Sequence, residues 1–306
     1  MSAKIESGDV LSSVENLIKE KSPWLFGGDI LPFVYVRPEN QISNPGTRNK
    51  LSWFRQTPVY KNPLRLEELE FAENLYYIEG KAFGPANMAM PRWVFYDCAV
   101  IPGFVAGFCM RTSALPANVR QVMRQPLVCE YTPLSLFIII PTMHKGEWVA
   151  HNLCSINSLL PRAERYYGLG FLSKAFGLWY ANVEECSGMT QWGSPALKLH
   201  SHYGHLEVMG AYAPVHSHAN TITYRVKVDT GQWERFFTRE RDYAFLEQYG
   251  ATTDIIDPRS EESMKTLQKR IQDGKGPFFL SAHEIAEKKL QDPLTLYRSK
   301  TRSIDE

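Results

Sequence analysis

The chain has 306 residues, and its 34 basic and 33 acidic side chains leave a net charge of +1 at neutral pH. This balance argues against nucleic acid as the main partner, because proteins that bind phosphate backbones concentrate Lys and Arg. Hydrophobic residues make up 44% of the chain, which is enough for a core in one large domain or two small ones. The longest apolar run, residues 134–140, is too short to span a membrane.

The N-terminal segment and the cysteines indicate a cellular compartment. Residues 1–21 are polar and contain no signal-peptide core. The five cysteines form no C-x-x-C pair, their number is odd and their spacing is wide. These features indicate reduced thiols, and we therefore expect a cytoplasmic protein.

Before the strand-rich middle of the chain, the sequence predicts a short helix and an irregular arm. Ser12 and Glu15 form a capping box that predicts a helix over residues 12–21. Residues 23–62 are rich in Pro, Gly and Asn and show no clear period. We expect them to pack on a domain as an irregular arm.

The middle of the chain carries most of the strand signal. A Pro-Gly turn at residues 101–103 predicts a hairpin between two of the strands. The apolar run at 134–140 is typical of a strand covered on both faces. The predicted strands are residues 93–100, 104–110, 134–140, 148–156, 189–192, 206–209 and 221–228.

The C-terminal portion is more helical and more charged. Residues 260–273 predict a helix that ends at Gly274, and Ser281 with Glu284 forms a second capping box. We expect an α/β (α+β) fold with a central mixed sheet flanked by helices. Its predicted parts are an N-terminal helix and arm (1–74), a core (75–229) and a helical C-terminal extension (230–306).

A glycine loop is the most informative motif. Residues 165–170 are R-Y-Y-G-L-G, and an apolar segment predicted as a helix over residues 171–185 follows directly. Glycines allow the backbone to approach a ligand closely. The first turn of a helix has N–H groups without partners and the positive end of the helix dipole. The loop therefore predicts a site for a pyrophosphate.

This loop and a later motif resemble the GNAT superfamily of acyl-CoA-dependent N-acyltransferases. Arg165, Gly168 and Gly170 fit the family's pyrophosphate loop, Q/R-x-x-G-x-G/A, at every fixed position. The later family motif is roughly N-x-x-A-hydrophobic-x-L-Y-x-x-x-G-F, and this chain has His200 in place of its Tyr. The resemblance covers about residues 95–228. Its other matching positions are Ala196, Leu197, Leu199 and Gly204, while Gly193 and His205 replace the Asn and the Phe.

The resemblance implies a GNAT-like core and acyl transfer from acetyl-CoA or another acyl-CoA to an amine of a small molecule. It places cofactor contacts at the loop, and at the backbone of the preceding strand near residues 153–157. His200 would protonate the leaving thiolate, and Glu147 and His151 are both candidates for the base that accepts the proton of the amine. The cofactor-binding residues that it predicts are Arg165, Gly168, Gly170, Phe171 and Asn157.

A second resemblance gives an alternative activity. Residues 170–174, with Arg111, look like the G-F-P-K-K motif of the acetoacetate decarboxylase family, which uses a Schiff-base lysine. Leu172 and Ser173 replace the Pro and the first Lys, so Lys174 would have to serve as the nucleophile. On a helix, Lys174 is expected to face solvent or phosphate. A third possibility is a non-catalytic ligand-binding protein on the same scaffold.

Five histidines between His200 and His218 suggest a metal site at first inspection. His200, His202 and Glu207 match the H-x-H-x4-E ligand pattern of cupins. The two histidines lie in a predicted helix, where residues two apart do not share a face. We therefore expect no metal. The sequence does not predict the acyl acceptor, the acyl chain length or the oligomeric state.

Overall fold

The computed structural model describes residues 15–47, 56–123, 128–216, 218–229, 233, 236 and 243–300. The chain divides into two units, Met1–Val183 and Glu184–Glu306. Residues 15–21 are helical, and Lys19 and Glu15 form an ion pair one turn apart. The predicted helix start at Ser12 lies outside the described residues. The three-part division expected from the sequence stays a prediction.

The first unit is built on a mixed sheet. Its strands are β1 (Ile30–Tyr35), β2 (Val59–Lys61), β3 (Phe104–Arg111), β4 (Tyr131–Pro133), β5 (Ser135–Pro141) and β6 (Glu147–Ser155). Its helices are α1 (Leu69–Phe83), α2 (Arg92–Val100), α3 (Ala117–Val122) and α4 (Leu169–Tyr180). The strand order is β6-β5-β3-β1-β2, with β4 beside β3. The β1–β2 pair is parallel and the other pairs are antiparallel, so the expected mixed sheet is confirmed.

Helices cover both faces of this sheet. Gly177 of α4 lies against Phe137 and Ala106, while Phe71 of α1 packs edge-on against Phe33 with ring centroids 5.0 Å apart. Ala106 is paired with Val34, the neighbour of Phe33 on β1, and consecutive residues of a strand point to opposite faces. Therefore α4 covers one face and α1 covers the other. Consecutive positions of β3 and β5 are buried for this reason.

The second unit has an antiparallel sheet in the order β10-β12-β11-β8-β9-β7. Its strands are β7 (Glu185–Gln191), β8 (Leu206–Gly210), β9 (Thr221–Lys227), β10 (Tyr249–Ile256), β11 (Phe279–Leu280) and β12 (Leu294–Ser299). Its helices are α5 (Pro195–Ser201), α6 (Tyr243–Gln248), α7 (Glu261–Gln272) and α8 (Ala282–Glu287). The predicted helix caps occur: Ser260 Oγ accepts from the N–H of Ser263, and Ser281 Oγ from that of Glu284. Gly274, at φ +72°, follows α7.

The predicted strand at residues 93–100 is wrong, and so is the hairpin after it. These residues form α2, which leads into β3 through residues 101–103. Aromatic and β-branched side chains favour a strand, but the burial has helical spacing. Phe95 and Ala99, one helical turn apart, are fully buried, whereas Trp93 is 68% exposed. Tertiary packing therefore overrides the local propensity.

The structure contains strands that the sequence analysis did not identify. Residues 30–35 lie inside the expected irregular arm, yet they form β1, which is buried between β2 and β3. The sequence did not predict this strand because it contains Pro32. Strand β2 pairs only with residues 33–35, so Pro32 lies beyond the end of β2, where a missing N–H is tolerated. The C-terminal portion likewise contributes β10, β11 and β12 besides its helices.

We predict that Gly177→Ala destabilises the protein although alanine is the better helix former. A Cβ at residue 177 would lie 2.6 Å from Cδ1 of Phe137. Overpacking of this kind costs about 1–3 kcal/mol of unfolding free energy. The matched control is Gly80→Ala in α1, where a Cβ would meet nothing within 4 Å, and it should stabilise by about 0.5–1 kcal/mol. Urea unfolding of both variants measures this, and equal effects would contradict the packing of α4 on β5.

Candidate active site

A β-bulge in β6 places two consecutive polar side chains on one face of the first unit's sheet. Phe137 pairs with Leu153 and Ile139 with Ala150, so β6 has one residue more than β5 between these pairs. The ring of Trp148 contacts Phe104, which contacts Tyr180 of α4. Asn152 instead contacts Glu79 of α1, on the opposite face. In a regular strand residues 148 and 152 would share a face, so the bulge switches the alternation between them.

The two side chains at the bulge form a hydrogen-bonded chain with a buried carboxyl group. Nδ1 of His151 lies 3.1 Å from Oδ1 of Asn152, and Nδ2 of Asn152 donates to Oε1 of Glu79 at 2.9 Å. His151 is exposed to solvent by surface area. Partial desolvation nevertheless lowers the pKa of His151, and the hydrogen bond to Asn152 offsets part of that effect. The imidazole is therefore neutral and able to accept a proton near neutral pH.

Glu79 of α1 is unusual because a carboxylate side chain is seldom fully buried in a protein. Its side chain is fully buried, Oε1 also accepts from the N–H of Met90 at 3.1 Å, and Oε2 has no recorded partner among the described residues. Burial raises the pKa of Glu79, although the hydrogen bonds from Met90 and Asn152 oppose this. Burial also raises the pKa of the Cys154 thiol, with Glu79 as a further cause. For both acids, burial is the largest cause of the raised pKa.

The other candidate base, Glu147, lies at the first position of β6. Its Oε2 accepts from Oγ1 of Thr142 at 3.4 Å, within the connection from β5 to β6. Glu147 lines a cavity of about 620 Å³ in the first unit. Other residues that line this cavity are Ile42, Asn44, Thr47, His144, Trp148 and Asn182. Among the described residues, no chain of hydrogen bonds to a buried carboxyl group is recorded for Glu147, in contrast to His151.

The glycine loop is attached to the end of β6 by Asn157. Nδ2 of Asn157 donates to the carbonyl oxygen of Tyr166 at 2.7 Å, and its Oδ1 accepts from the N–H of Tyr166 at 2.9 Å. The neighbouring Arg165 is exposed, and its Nε donates to the carbonyl oxygen of Leu160 at 3.1 Å. Asn157 and Arg165 thus bind protein backbone and hold the loop in shape.

A second carbonyl of the loop is held from the N-terminal side of the chain. Oγ of Ser22 and Nε1 of Trp24 both donate to the carbonyl oxygen of Tyr167, at 2.8 and 2.9 Å. Ser22 is fully buried, and the ring of Trp24 packs edge-on against Phe108. The carbonyl oxygens before Gly168 are therefore occupied and directed at protein donors.

Helix α4 begins at Leu169, two residues earlier than predicted, and Gly168 is its N-cap in the left-handed conformation at φ +75°. No side chain caps this end. Within the described part of the chain, no hydrogen bond is recorded for the N–H groups of Gly168 and Gly170. Open N–H groups, a 12-residue helix dipole and two occupied carbonyls make this loop attractive for an anion. Phe171 is 1% exposed, so its ring packs in the core and is not available to a ligand at the loop.

His200 lies in the second unit, on α5, and is 7% exposed. Its ring lies against Tyr224 with centroids 5.1 Å apart. Two other histidines of the cluster bind backbone: Nδ1 of His205 accepts from the N–H of Ala282, and Nδ1 of His216 from that of His218. Across the described residues, no group of three or more His, Cys, Asp or Glu side chains is placed to hold a metal ion.

Lys174 is fully buried within α4, so the expectation that it faces solvent is wrong. Its Nζ lies 6.0 Å from the ring centroid of Phe137, on the face of the sheet that α4 covers. The apolar periodicity of the helix did not indicate that the side of the helix carrying Lys174 faces the core.

None of the helices in the described part of the chain is long and apolar enough to cross a membrane.

Sequence reasoning missed Glu79, Asn152, Ser22 and Trp24. Asn152 directly follows a candidate base, which is a local signal that we did not use. Glu79 had none, because its partner is 73 residues away along the chain. Trp24 is 143 residues from the carbonyl that it holds.

The chain matches no protein-family model and no curated protein, but it is similar to several solved structures, including the following three. The ribosomal-protein-S18-alanine N-acetyltransferase from Escherichia coli is 14% identical, with 54% of this chain and 91% of that chain covered and a TM-score of 0.35. A chain of the NatC complex bound to Gag peptide and CoA is 12% identical, with 55% and 96% covered and a TM-score of 0.37. A Klebsiella pneumoniae protein assigned to the acyl-CoA N-acyltransferases is 13% identical, with 52% and 90% covered and a TM-score of 0.29.

N-acyltransferases, the proteins that the sequence resembles, thus recur among similar solved structures. The mixed sheet and its flanking helices confirm the α/β fold class. At TM-scores below 0.5, these similarities carry no argument about the activity of this chain.

We predict that Gly168→Ala lowers the free energy of unfolding by about 1–2 kcal/mol, because an L-residue pays this cost in the left-handed conformation. The control is Gly170→Ala, since Gly170 is in the first turn of α4 and is not among the glycines at positive φ. Chemical denaturation of both variants provides the comparison. A Gly168→Ala variant as stable as the wild type would contradict the observed conformation of the loop.

Proposed function

We propose that the protein transfers an acyl group from acetyl-CoA or another acyl-CoA to an amine of a small molecule. The observation that carries this proposal is the loop before α4. Its carbonyl oxygens at residues 166 and 167 are bound by side chains, while the N–H groups of Gly168 and Gly170 are open. A pyrophosphate accepts hydrogen bonds and carries negative charge, so it matches both properties of the loop.

The position of β6 supports CoA over a simple phosphate. Asn157 ties the end of β6 to the loop, so a ligand that starts at the loop can continue along the strand. His151 lies four residues before the end of β6. At about 3.3 Å per residue this is roughly 13 Å, a scale that suits an extended pantetheine arm. The thioester would then lie near the bulge.

In the proposed reaction, the amine nitrogen attacks the carbonyl carbon of the thioester and the C–S bond breaks. Nε2 of His151 accepts the proton of the amine, and the leaving thiolate takes a proton to become a thiol. We assign the base to His151 in preference to Glu147 because His151 is bound to Asn152, which the buried Glu79 holds in turn. His200 stays the candidate for the proton donor. Backbone N–H groups near the bulge are the candidates for stabilising the oxyanion.

The two alternative functions have less support. A Schiff base at Lys174 requires a soluble keto acid to reach its Nζ, but this side chain is fully buried. A non-catalytic protein would bind CoA at the same loop without turnover. No observation in the structure favours either alternative over acyl transfer.

We predict that CoA binds to the wild-type protein and that Gly170→Val abolishes binding, because the added side chain stands at the first turn where the pyrophosphate approaches. The control is Gly80→Ala, which is remote from the loop and should bind CoA as the wild type does. Isothermal titration calorimetry measures both affinities. Absence of CoA binding to the wild type at millimolar ligand would contradict the proposed cofactor.

We predict that the pH profile of acyl transfer contains a rising limb with an apparent pKa below 6.5 that belongs to the base, separate from limbs due to the proton donor and the acceptor amine. The base must be neutral, and desolvation lowers the pKa of His151. His151→Gln should reduce turnover by about 10²-fold or more and remove this limb. The comparison is Glu147→Gln, which should keep the limb. If the limb vanishes in Glu147→Gln and persists in His151→Gln, Glu147 is the base. Polyamines, amino acids and aminoglycosides are the first acceptors to test.

A further inference from the structure

We propose that Glu79 and Asn152 are positioning residues that hold His151 in one tautomer, with the proton on Nδ1 and the lone pair on Nε2. The catalytic value of this tautomer rests on the proposed function, in which His151 is the base. The tautomer itself depends only on the hydrogen bonds of the folded chain.

The first step concerns the orientation of the Asn152 amide. Oε1 of Glu79 accepts from the N–H of Met90, a group that can only donate, so Oε1 acts as an acceptor. If the amide of Asn152 were reversed, its oxygen would face this acceptor at 2.9 Å. Two acceptors at that distance repel each other inside the protein. With Glu79 ionised, or protonated on Oε2, Nδ2 of Asn152 therefore points at Glu79.

In the second step, the orientation of the Asn152 amide determines which nitrogen of the His151 imidazole is protonated. With Nδ2 committed to Glu79, Oδ1 of Asn152 points at Nδ1 of His151, 3.1 Å away. An amide oxygen only accepts, so Nδ1 must carry the proton. In a neutral imidazole the lone pair then lies on Nε2, the ring nitrogen that does not face Asn152. The buried carboxyl group thereby determines which nitrogen is basic.

The third step explains why this arrangement needs the bulge. Neighbouring residues of a regular strand point to opposite faces and cannot bond to each other through their side chains in this way. The extra residue of β6 at 151–152 brings both side chains to the face that α1 covers, where Glu79 is buried. The bulge, the amide and the carboxyl group thus act on the same ring nitrogen.

Nuclear magnetic resonance of the imidazole nitrogens tests the tautomer without any substrate. The full-length protein is labelled with ¹⁵N-histidine, and the His151 signals are those missing from His151→Gln. At pH 8 the wild type should show a protonated Nδ1 and an unprotonated Nε2. Asn152→Leu removes the acceptor and should move most of the proton population to Nε2. A wild-type His151 protonated on Nε2, or an unchanged tautomer in Asn152→Leu, overturns the proposal.

Two variants in α1 test the part played by Glu79. Glu79→Leu removes the acceptor and should allow the Asn152 amide to turn, giving a mixture of tautomers. Glu79→Gln retains an amide oxygen in place of Oε1 and should keep the wild-type tautomer. The matched control is Glu73→Gln, also on α1, which removes an ion pair with Arg92 of α2. If Glu79→Leu only lowers the thermal midpoint and leaves the tautomer unchanged, Glu79 merely supports the fold and its proposed role fails. If Glu79→Leu does not fold, Glu79→Gln still tests the proposed role of Glu79. This variant is expected to keep the wild-type tautomer of His151, so a changed tautomer would contradict the role.

Kinetics separate this inference from the proposed function. Asn152→Leu should lower kcat by about 10-fold or more, since part of the general-base effect is lost. The KM for acyl-CoA should stay within about 2-fold, because the loop holds the cofactor. A tautomer that changes as expected, in a protein that transfers no acyl group, leaves the positioning intact and refutes the function. Acyl transfer with an unchanged kcat in Asn152→Leu refutes the positioning and leaves the function intact.

Discussion

The occupied carbonyl oxygens of Tyr166 and Tyr167 are the constraint on which the candidate site depends. The segment of residues 165–170 has as many carbonyl groups as N–H groups, and an anion is repelled by the carbonyl groups and attracted by the N–H groups. Asn157, Ser22 and Trp24 bind the two carbonyls and hold them in place. The end of β6 and the N-terminal side of the chain thus contribute to a loop that neither of them contains.

The bulge of β6 is the second constraint on the candidate site, and it lies in the strand whose end is bound to the loop. It moves Asn152 to the face of α1, where the buried Glu79 can receive its amide. The same strand therefore carries the His151 imidazole in its middle and ends near the loop that we propose as an anion site. The proposed base, the strand, the loop and the helix dipole follow one another in this order. An extended ligand with a thioester at one end and a pyrophosphate at the other requires such an order.

Local features of this site were readable from the sequence, and long-range ones were not. The glycine loop, its helix and the strand before it follow from spacing and from the conformational freedom of Gly168. The strand at residues 93–100 was predicted wrongly because aromatic propensity outweighed an i, i+4 burial pattern. Glu79 and Trp24 act through partners 73 and 143 residues away, and no periodicity within one segment reveals such contacts.

The central claim is that the N–H groups of Gly168 and Gly170 receive the pyrophosphate of acyl-CoA. The most direct measurement follows the backbone amide resonances of these two glycines while CoA is added, with pantetheine, which lacks the pyrophosphate, as the parallel titration. The account predicts that both amides shift with CoA, saturate with a common dissociation constant, and do not shift with pantetheine. Glycine amides that stay in place while CoA binds elsewhere, or that respond equally to pantetheine, would contradict it.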